Sequence, residues 1–308
     1  MNILITGSRG QLGTEIQKQL RLGYSELGEL PAAFRKGEVT AIDLPELDIT
    51  DLAAVNTYIK QLQPDVVINC AAFTNVDGCE TQPDAAYAAN AVGPRNLALA
   101  CDRVGAKLVH VSTDYVFSGR PNGGVQLDES WLPQPISTYG RTKLLGEQYV
   151  RQFCRRSFIV RTAWLYSYYG KNFVKTILGA GHKYGQVTVV DDQLGTPTNA
   201  VDLAHVLLLL AEGEQYGLYH CTGQGVCSWY EFTKEIFSLA GLSAGVTACS
   251  TAEYQAAHPD STSRPLWSAL DNRMLRSVVG TDPVRSWQDA LTAFFDHWDG
   301  SNSMKEEH

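Results

Sequence analysis

The chain opens on a strand and turns at once on three glycines. Asn2-Ile3-Leu4-Ile5-Thr6 runs into Gly7-Ser8-Arg9-Gly10-Gln11-Leu12-Gly13, after which apolar residues recur with helical period through Leu20. A strand that feeds a helix through so tight a turn is the first half of a parallel β-α-β unit, and few folds accept it at an N-terminus. Missing side chains let the turn close and let a phosphate approach the backbone N–H groups at the helix start. A turn tightened for packing alone would look the same in isolation; its place after an N-terminal strand favours a dinucleotide loop carried by Gly7, Gly10 and Gly13.

The rest of the first half repeats the alternation. Strands are predicted at Val39–Asp43, Asp65–Cys70, Lys107–Ser112 and Ser157–Arg161, with helices at Asp51–Leu62, Asp84–Val104 and from Pro135 to Phe153. Gly23 to Gly37 reads as a loop. Such alternation implies an α/β fold, a doubly wound parallel sheet of the Rossmann kind. Ligands bind beyond the carboxyl ends of such strands, so the glycine loop, Asn69-Cys70-Ala71-Ala72 and Ser112-Thr113-Asp114 should share one crevice. Beyond Arg161 the pattern is mixed: loops at Trp164–Tyr169 and Asp192–Asn199, helices at Val201–Ala211, Ser228–Ala240 and Trp287–Trp298, and strands at Gly217–Cys221 and, weakly, near Val246. The expected division is a nucleotide-binding domain over 1–162, to which segments near 196–226 return. A smaller mixed α/β lobe covers about 163–195 and 227–300, and 301–308 forms a polar, frayed tail.

Tyr139 and Lys143 lie four residues apart on one of those helices, so a phenol and an ammonium share a face. A cation there would stabilise the tyrosinate and bring down a phenol whose ordinary pKa is ~10. That suits carbonyl reduction, in which hydride reaches the carbon and an acid protonates the oxygen. Thr113 stands where it would hydrogen-bond the carbonyl, or only its own backbone. With 14 tyrosines the spacing also arises by accident, as it does at Tyr230 and Lys234. That second pair sits in Ser228-Trp229-Tyr230-Glu231, a capping box opening an ordinary amphipathic helix, with no glycine loop to serve it.

Asp43 ends the second strand and is the acidic candidate for an adenosine ribose hydroxyl, whereas Arg9 would grip a 2′-phosphate. The two pull in opposite directions and leave NADH and NADPH both open. Asp48 and Ile49 fit beside an adenine or, equally, mark a helix start. Asn90 falls mid-helix and either bonds buried backbone near the site or faces solvent. A net charge of −8 argues against a nucleic-acid-backbone binder. Seven unpatterned cysteines suit a reducing cytoplasm, and neither they nor the histidines have metal-ligand spacing. Met1 to Thr6 reads as a strand, so a leader is not expected, and the longest apolar run, Val206 to Ala211, is too short to span a bilayer. A cytoplasmic protein without membrane association is expected.

The order glycine loop, Ser-Thr-Asp-Tyr-Val-Phe at 112–117 and Tyr-Gly-Arg-Thr-Lys at 139–143 resembles the extended short-chain dehydrogenase/reductases. Arg-Thr-Ala-Trp-Leu-Tyr at 161–166, Asp-Asp-Gln-Leu-Gly-Thr-Pro-Thr at 191–198 and Arg-Pro-Leu-Trp-Ser-Ala-Leu-Asp at 264–271 narrow the resemblance to the group of dTDP-4-dehydrorhamnose reductases. The resemblance implies that Gly10, Gln11, Leu12, Asp43, Asp48, Ile49, Ala71, Ala72 and Phe73, with Tyr139 and Lys143, hold NADPH or NADH. It implies that Thr113, Asp114 and Trp164 contact a dTDP-sugar, with Arg264 a candidate for its diphosphate. Tyr139, Lys143 and Thr113 would be catalytic. Some members are dimers that bind magnesium through acidic residues. Glu15 has no evident partners for that, so no metal is expected, and monomer and homodimer stay open. Two rivals accompany the reductase: a non-catalytic subunit like the regulatory subunit of methionine adenosyltransferase, and a nucleotide-sugar epimerase or dehydratase with tightly held NAD.

Overall fold

A computed structural model describes residues 1–34 and 37–300; the expected tail at 301–308 lies outside the described residues. Six strands form the central sheet: β1 (Ile3–Thr6), β2 (Val39–Ile42), β3 (Val66–Asn69), β4 (Lys107–Thr113), β5 (Ser157–Thr162) and β6 (Gly217–His220). Their order is β6-β5-β4-β3-β1-β2, and every neighbouring pair is parallel. The chain leaves β1 to one side and returns to the other, so the sheet opens a crevice above the carboxyl end of β1.

Helices cover both faces. The alternation of side chains along each strand decides which helix meets which residue. Ile3, Ile5, Val66, Ile68 and Val109 pack against α1 (Gln11–Leu22) and α6 (Ala200–Glu212). Leu4, Val67 and Leu108 face the opposite way, toward α2 (Leu52–Leu62), α3 (Gly93–Val104) and α4 (Thr138–Phe153). Being covered twice, the middles of β1 and β3 are apolar at consecutive positions rather than at every second one. Asp51 starts α2 by accepting from the N–H groups of Ala53 and Ala54. Ser137 starts α4 by accepting from Gly140 N at 3.1 Å. That cap puts Tyr139 in the first turn of α4, at the crevice.

A smaller lobe lies beyond the sheet. It gathers α5 (Phe173–Tyr184), α7 (Trp229–Leu239), α8 (Trp287–His297) and a parallel pair, Gln186–Val190 with Gly245–Cys249, around Tyr166, Tyr168, Phe232 and Phe294.

Three expectations change. The helix over Asp84–Val104 runs unbroken but carries a π turn at Ala88–Val92 between Pro83–Tyr87 and α3. The extra residue in that turn swings Asn90 inward, and no apolar periodicity reports it. The loop from Gly23 contains a short hairpin, Tyr24–Ser25 with Gly28–Glu29, and a 3-10 turn at Ala32–Phe34. The loops at 164–169 and 192–199 contain two-residue strands that stitch the lobe together, Leu165–Tyr166 with Thr198–Asn199 and Leu194–Gly195 with Cys227–Ser228. Pairs so short carry no legible alternation.

Candidate active site

The crevice above β1 holds about 1070 Å³, beyond the ~300–1,000 Å³ usual for one small ligand and roomy enough for two. Its floor is the glycine loop. Gly7 has φ 68°, and a Cβ there would meet Ala71 N at 2.5 Å; one on Gly13 would meet Gly7 O at 2.4 Å. The first glycine therefore permits the turn and the third lets α1 press against it. Gly7, Arg9, Gly10, Gln11, Leu12, Gly13, Asp43, Asp48, Ile49, Ala71, Ala72 and Phe73 all line the crevice, as do Thr113, Asp114, Tyr139, Lys143, Trp164 and Arg264. The sequence-predicted candidates thus converge on one cavity.

Their neighbours refine that inventory. Asp43 accepts from Arg9 N at 3.1 Å, while the Arg9 guanidinium is taken up by the Leu44 carbonyl and the Glu46 carboxylate. Arg9 is thus already paired at the rim. Asp48 accepts from Thr50 through both N and Oγ1. Ile49 is buried against Gly93. Asn90 adopts the inward alternative: its Oδ1 accepts from Phe73 N at 2.8 Å, and its Nδ2 donates to Phe73 O at 3.0 Å and Thr142 Oγ1 at 3.2 Å. One amide thereby clamps a wall of the cavity to the helix carrying Tyr139. Glu15 is buried on α1 with Gln19 as its hydrogen-bond partner, away from the crevice. The described residues contain no cluster of three or more His, Cys, Asp or Glu side chains suited to a metal.

Thr113 is 5% exposed, donates to Asp114 Oδ1 at 3.0 Å and accepts from Tyr115 N at 3.2 Å. Tyr115 and Tyr139 meet edge to face at 5.5 Å. Burial pushes the Tyr139 phenol well above its ordinary range, partly offset by its hydrogen-bonding interaction with Thr113. Lys143 is 2% exposed, and its ammonium donates to Val111 O at 2.6 Å. Burial brings it down to about 8, against the attraction of Glu147. Here the expectation of a phenol acidified by its lysine needs correction. Burial is the leading influence on the phenol and raises it, and Lys143 is not among the main ones. Asp114 is also buried, and burial pushes its carboxyl up to about 6.

Under α4 lies an ion pair that stiffens it. Arg161 on β5 is 2% exposed and reaches Glu147 through Nε at 2.8 Å and Nη2 at 2.7 Å, while Ser112 Oγ donates to the same carboxylate at 2.6 Å. Strand ends and α4 are thus joined by charge-assisted hydrogen bonds out of water.

Side chains from the lobe form the opposite wall. Trp164 stacks on Trp229, centroids 3.5 Å apart and planes 8° from parallel, with Phe173 against Trp229 at 4.4 Å. Trp164 has φ 47°, a left-handed conformation costly for a bulky residue and kept where surrounding structure enforces it. Arg264 pairs with Asp77 at 3.6 Å and hydrogen-bonds Tyr115 on the rim. Trp229, Phe173, Gly170 and Lys171 also line the cavity, and the sequence reading passed over all four. Trp229 lies inside a real capping box, Ser228 with Glu231, which accounted for the segment without asking which way its first residue faces. Gly-Lys-Asn at 170–172, a glycine and a cation just before a helix cap, was a signal available for the other two.

A profile of the family described as RmlD substrate binding domain matches residues 1–299. The dTDP-4-dehydrorhamnose reductase of Mycobacterium tuberculosis strain H37Rv is 41% identical over 300 residues, covering 94% of this chain and 90% of that one. Among solved structures, a dTDP-4-dehydrorhamnose reductase from Clostridium acetobutylicum is 46% identical with a TM-score of 0.88, over 96% of this chain and 99% of that one. The Bacillus anthracis dTDP-4-dehydrorhamnose reductase in complex with NADP is 40% identical with a TM-score of 0.87 over the same shares, 96% and 99%.

Proposed function

The chain belongs to the RmlD substrate binding domain family, and from that membership we propose that it is an NAD(P)H-dependent oxidoreductase reducing the C4 ketone of dTDP-4-dehydro-β-L-rhamnose to dTDP-β-L-rhamnose. The observation that carries the reading is the meeting of Thr113, Tyr139 and Lys143 in one crevice with a strand–glycine loop–helix junction. The cavity suits a dinucleotide. Backbone donors at the start of α1 face it, and Gln11 Oε1 and Thr162 Oγ1 are buried polar atoms without partners along its wall.

Gly7, Arg9, Gly10, Gln11, Leu12, Gly13, Asp43, Asp48, Ile49, Ala71, Ala72 and Phe73, with Tyr139 and Lys143, are assigned to the dinucleotide. Thr113, Asp114, Trp164 and Arg264 are assigned to the sugar nucleotide. When bound, the reduced nicotinamide supplies hydride to C4. Tyr139 Oη gives its proton to O4 as charge develops there, and Thr113 Oγ1 hydrogen-bonds the same oxygen. Lys143, a cation below about pH 8, holds the nicotinamide ribose. Trp164 and Trp229 present apolar aromatic surface to the deoxysugar.

The division into 1–162 with returning segments near 196–226, and a lobe over 163–195 and 227–300, goes with this reading: one part for the dinucleotide, one for the sugar. No helix among the described residues is long and apolar enough to cross a membrane. We assign the protein to the cytoplasm, acting as monomer or homodimer without a nucleic-acid partner.

The test is to mix the protein with dTDP-4-dehydrorhamnose and each reduced dinucleotide and follow the nicotinamide absorbance. Steady loss of that band with dTDP-rhamnose as product is expected. No oxidation, together with co-purification of a larger partner, would establish the regulatory-subunit rival; protein isolated with NAD already bound would establish the epimerase.

A further inference from the structure

Four cationic side chains line the crevice: Arg9, Lys143, Lys171 and Arg264. Three are already engaged. Arg9 is paired with Glu46, Arg264 with Asp77, and Lys143 donates to the Val111 carbonyl. Lys171 is exposed, and no carboxylate among the described residues forms an ion pair with it. A diphosphate entering this cavity meets one cation free to move onto it.

The chain around Lys171 says which diphosphate. Gly170 has φ 67°, and a Cβ on it would lie 3.1 Å from Gln11 Cγ, so the backbone passes directly over the first residue of α1. Beneath that contact Gln11 Oε1 is buried without a partner. The strap itself is built: Asn172 Nδ2 donates to Ser167 O at 2.7 Å, Tyr169 N donates to Ser167 Oγ at 3.1 Å, and Asn172 Oδ1 caps α5 by accepting from Lys175 N at 3.2 Å. Tyr168, two residues before Gly170, is fully buried and stacked on Phe294 at 4.9 Å. Lys171 therefore follows directly on a residue packed over the start of α1, the kind of helix end that favours phosphate, and lines the same crevice, while Arg264 occupies the rim beside Tyr115.

We propose that Lys171 binds the dinucleotide's pyrophosphate from the lobe side, opposite the glycine loop, and so couples cofactor binding to the lobe. This rests on the dinucleotide reading of the crevice. Lysine acts here as a point charge on phosphate, and a charge-assisted contact of this kind changes affinity by about tenfold. The geometry assigns it to cofactor affinity rather than to the chemical step.

The experiment measures NADPH and ADP-ribose dissociation constants by tryptophan fluorescence, and dTDP binding by calorimetry, on the wild-type chain, Lys171→Ala and Lys171→Arg. The assignment predicts that Lys171→Ala weakens NADPH and ADP-ribose alike by about tenfold, an effect that shrinks with added salt. Lys171→Arg should stay near wild type, dTDP affinity should be unchanged, and kcat at saturating NADPH should be retained. Unchanged NADPH affinity in Lys171→Ala, or weakening confined to dTDP, overturns it. A wild-type chain that binds neither NADPH nor ADP-ribose would instead refute the dinucleotide reading, and this assignment with it.

Discussion

On the sheet side the crevice is walled by main chain: glycines 7, 10 and 13, the ends of β1 and β3, and the N–H groups at the head of α1. On the lobe side it is walled by side chains: Trp164, Phe173, Trp229, Lys171 and Arg264, drawn from segments up to a hundred residues apart. The first wall is set by local geometry, because a turn and a helix start are fixed by a few consecutive residues. The second depends on two-residue strands and one aromatic stack to bring distant segments together. A backbone wall is tolerant of side-chain change but intolerant of a single added Cβ. A side-chain wall is adjustable one residue at a time, as a specificity surface should be.

Four substitutions or titrations test that contrast. Tyr139→Phe, where both walls meet, should cut turnover by about 10²-fold or more while NADPH affinity stays close to wild type; near-normal turnover would remove Tyr139 as the acid. Gly13→Ala should come next, since its methyl group would run into Gly7 O. Overpacking of this kind costs about 1–3 kcal/mol, and thermal unfolding and NADPH affinity should fall together. If only one of them moves, loop and core are less coupled than described. Trp229→Ala should raise the KM for the sugar nucleotide several-fold, in line with ~0.5–1.5 kcal/mol for an aromatic pair, and leave the NADPH constant alone. An equal loss on both ligands would erase the distinction between walls.

The smallest effect is a pH dependence. Lys143 falls to about 8 through burial, so turnover should decline as pH rises through that value and the ammonium discharges. Unfolding does not explain such a decline. The unfolded chain keeps this proton to an ordinary lysine value near ~10.4, so between about pH 8 and that value the unfolded state binds more protons. The contribution of Lys143 to stability therefore rises across the window, and melting temperatures there separate the two causes. A turnover profile flat to pH 9 would deny Lys143 an active charge.

The same contrast governs what could be read in advance. Strand alternation, the glycine spacing and the pair Tyr139/Lys143 are local patterns, and each points to its place in the crevice. Asn90 was legible only as a choice between two environments, because the π turn that points it inward leaves no mark on apolar periodicity. Trp229 was hidden behind its capping box: Ser228 and Glu231 explain why a helix begins there but not that its first side chain stacks on Trp164. The acidity of Tyr139 was misjudged for a similar reason. Spacing on a helix reports that Lys143 is near, but it cannot report how thoroughly both groups are buried or that Val111 O engages the ammonium.

The last strand of the sheet, β6, joins β5 only after the chain has travelled through Tyr168, α5 and the Gln186–Val190 strand. Ending translation near residue 162 would leave β5 as a bare edge with unpaired N–H and C=O groups, a template for association with other chains. Exchanging the smaller lobe for another would therefore require two splices, one on each side of the β6 excursion, rather than one fusion point. In a lineage of such chains, new substrate preferences would be expected to arise by point changes within the lobe more readily than by recombination of whole segments.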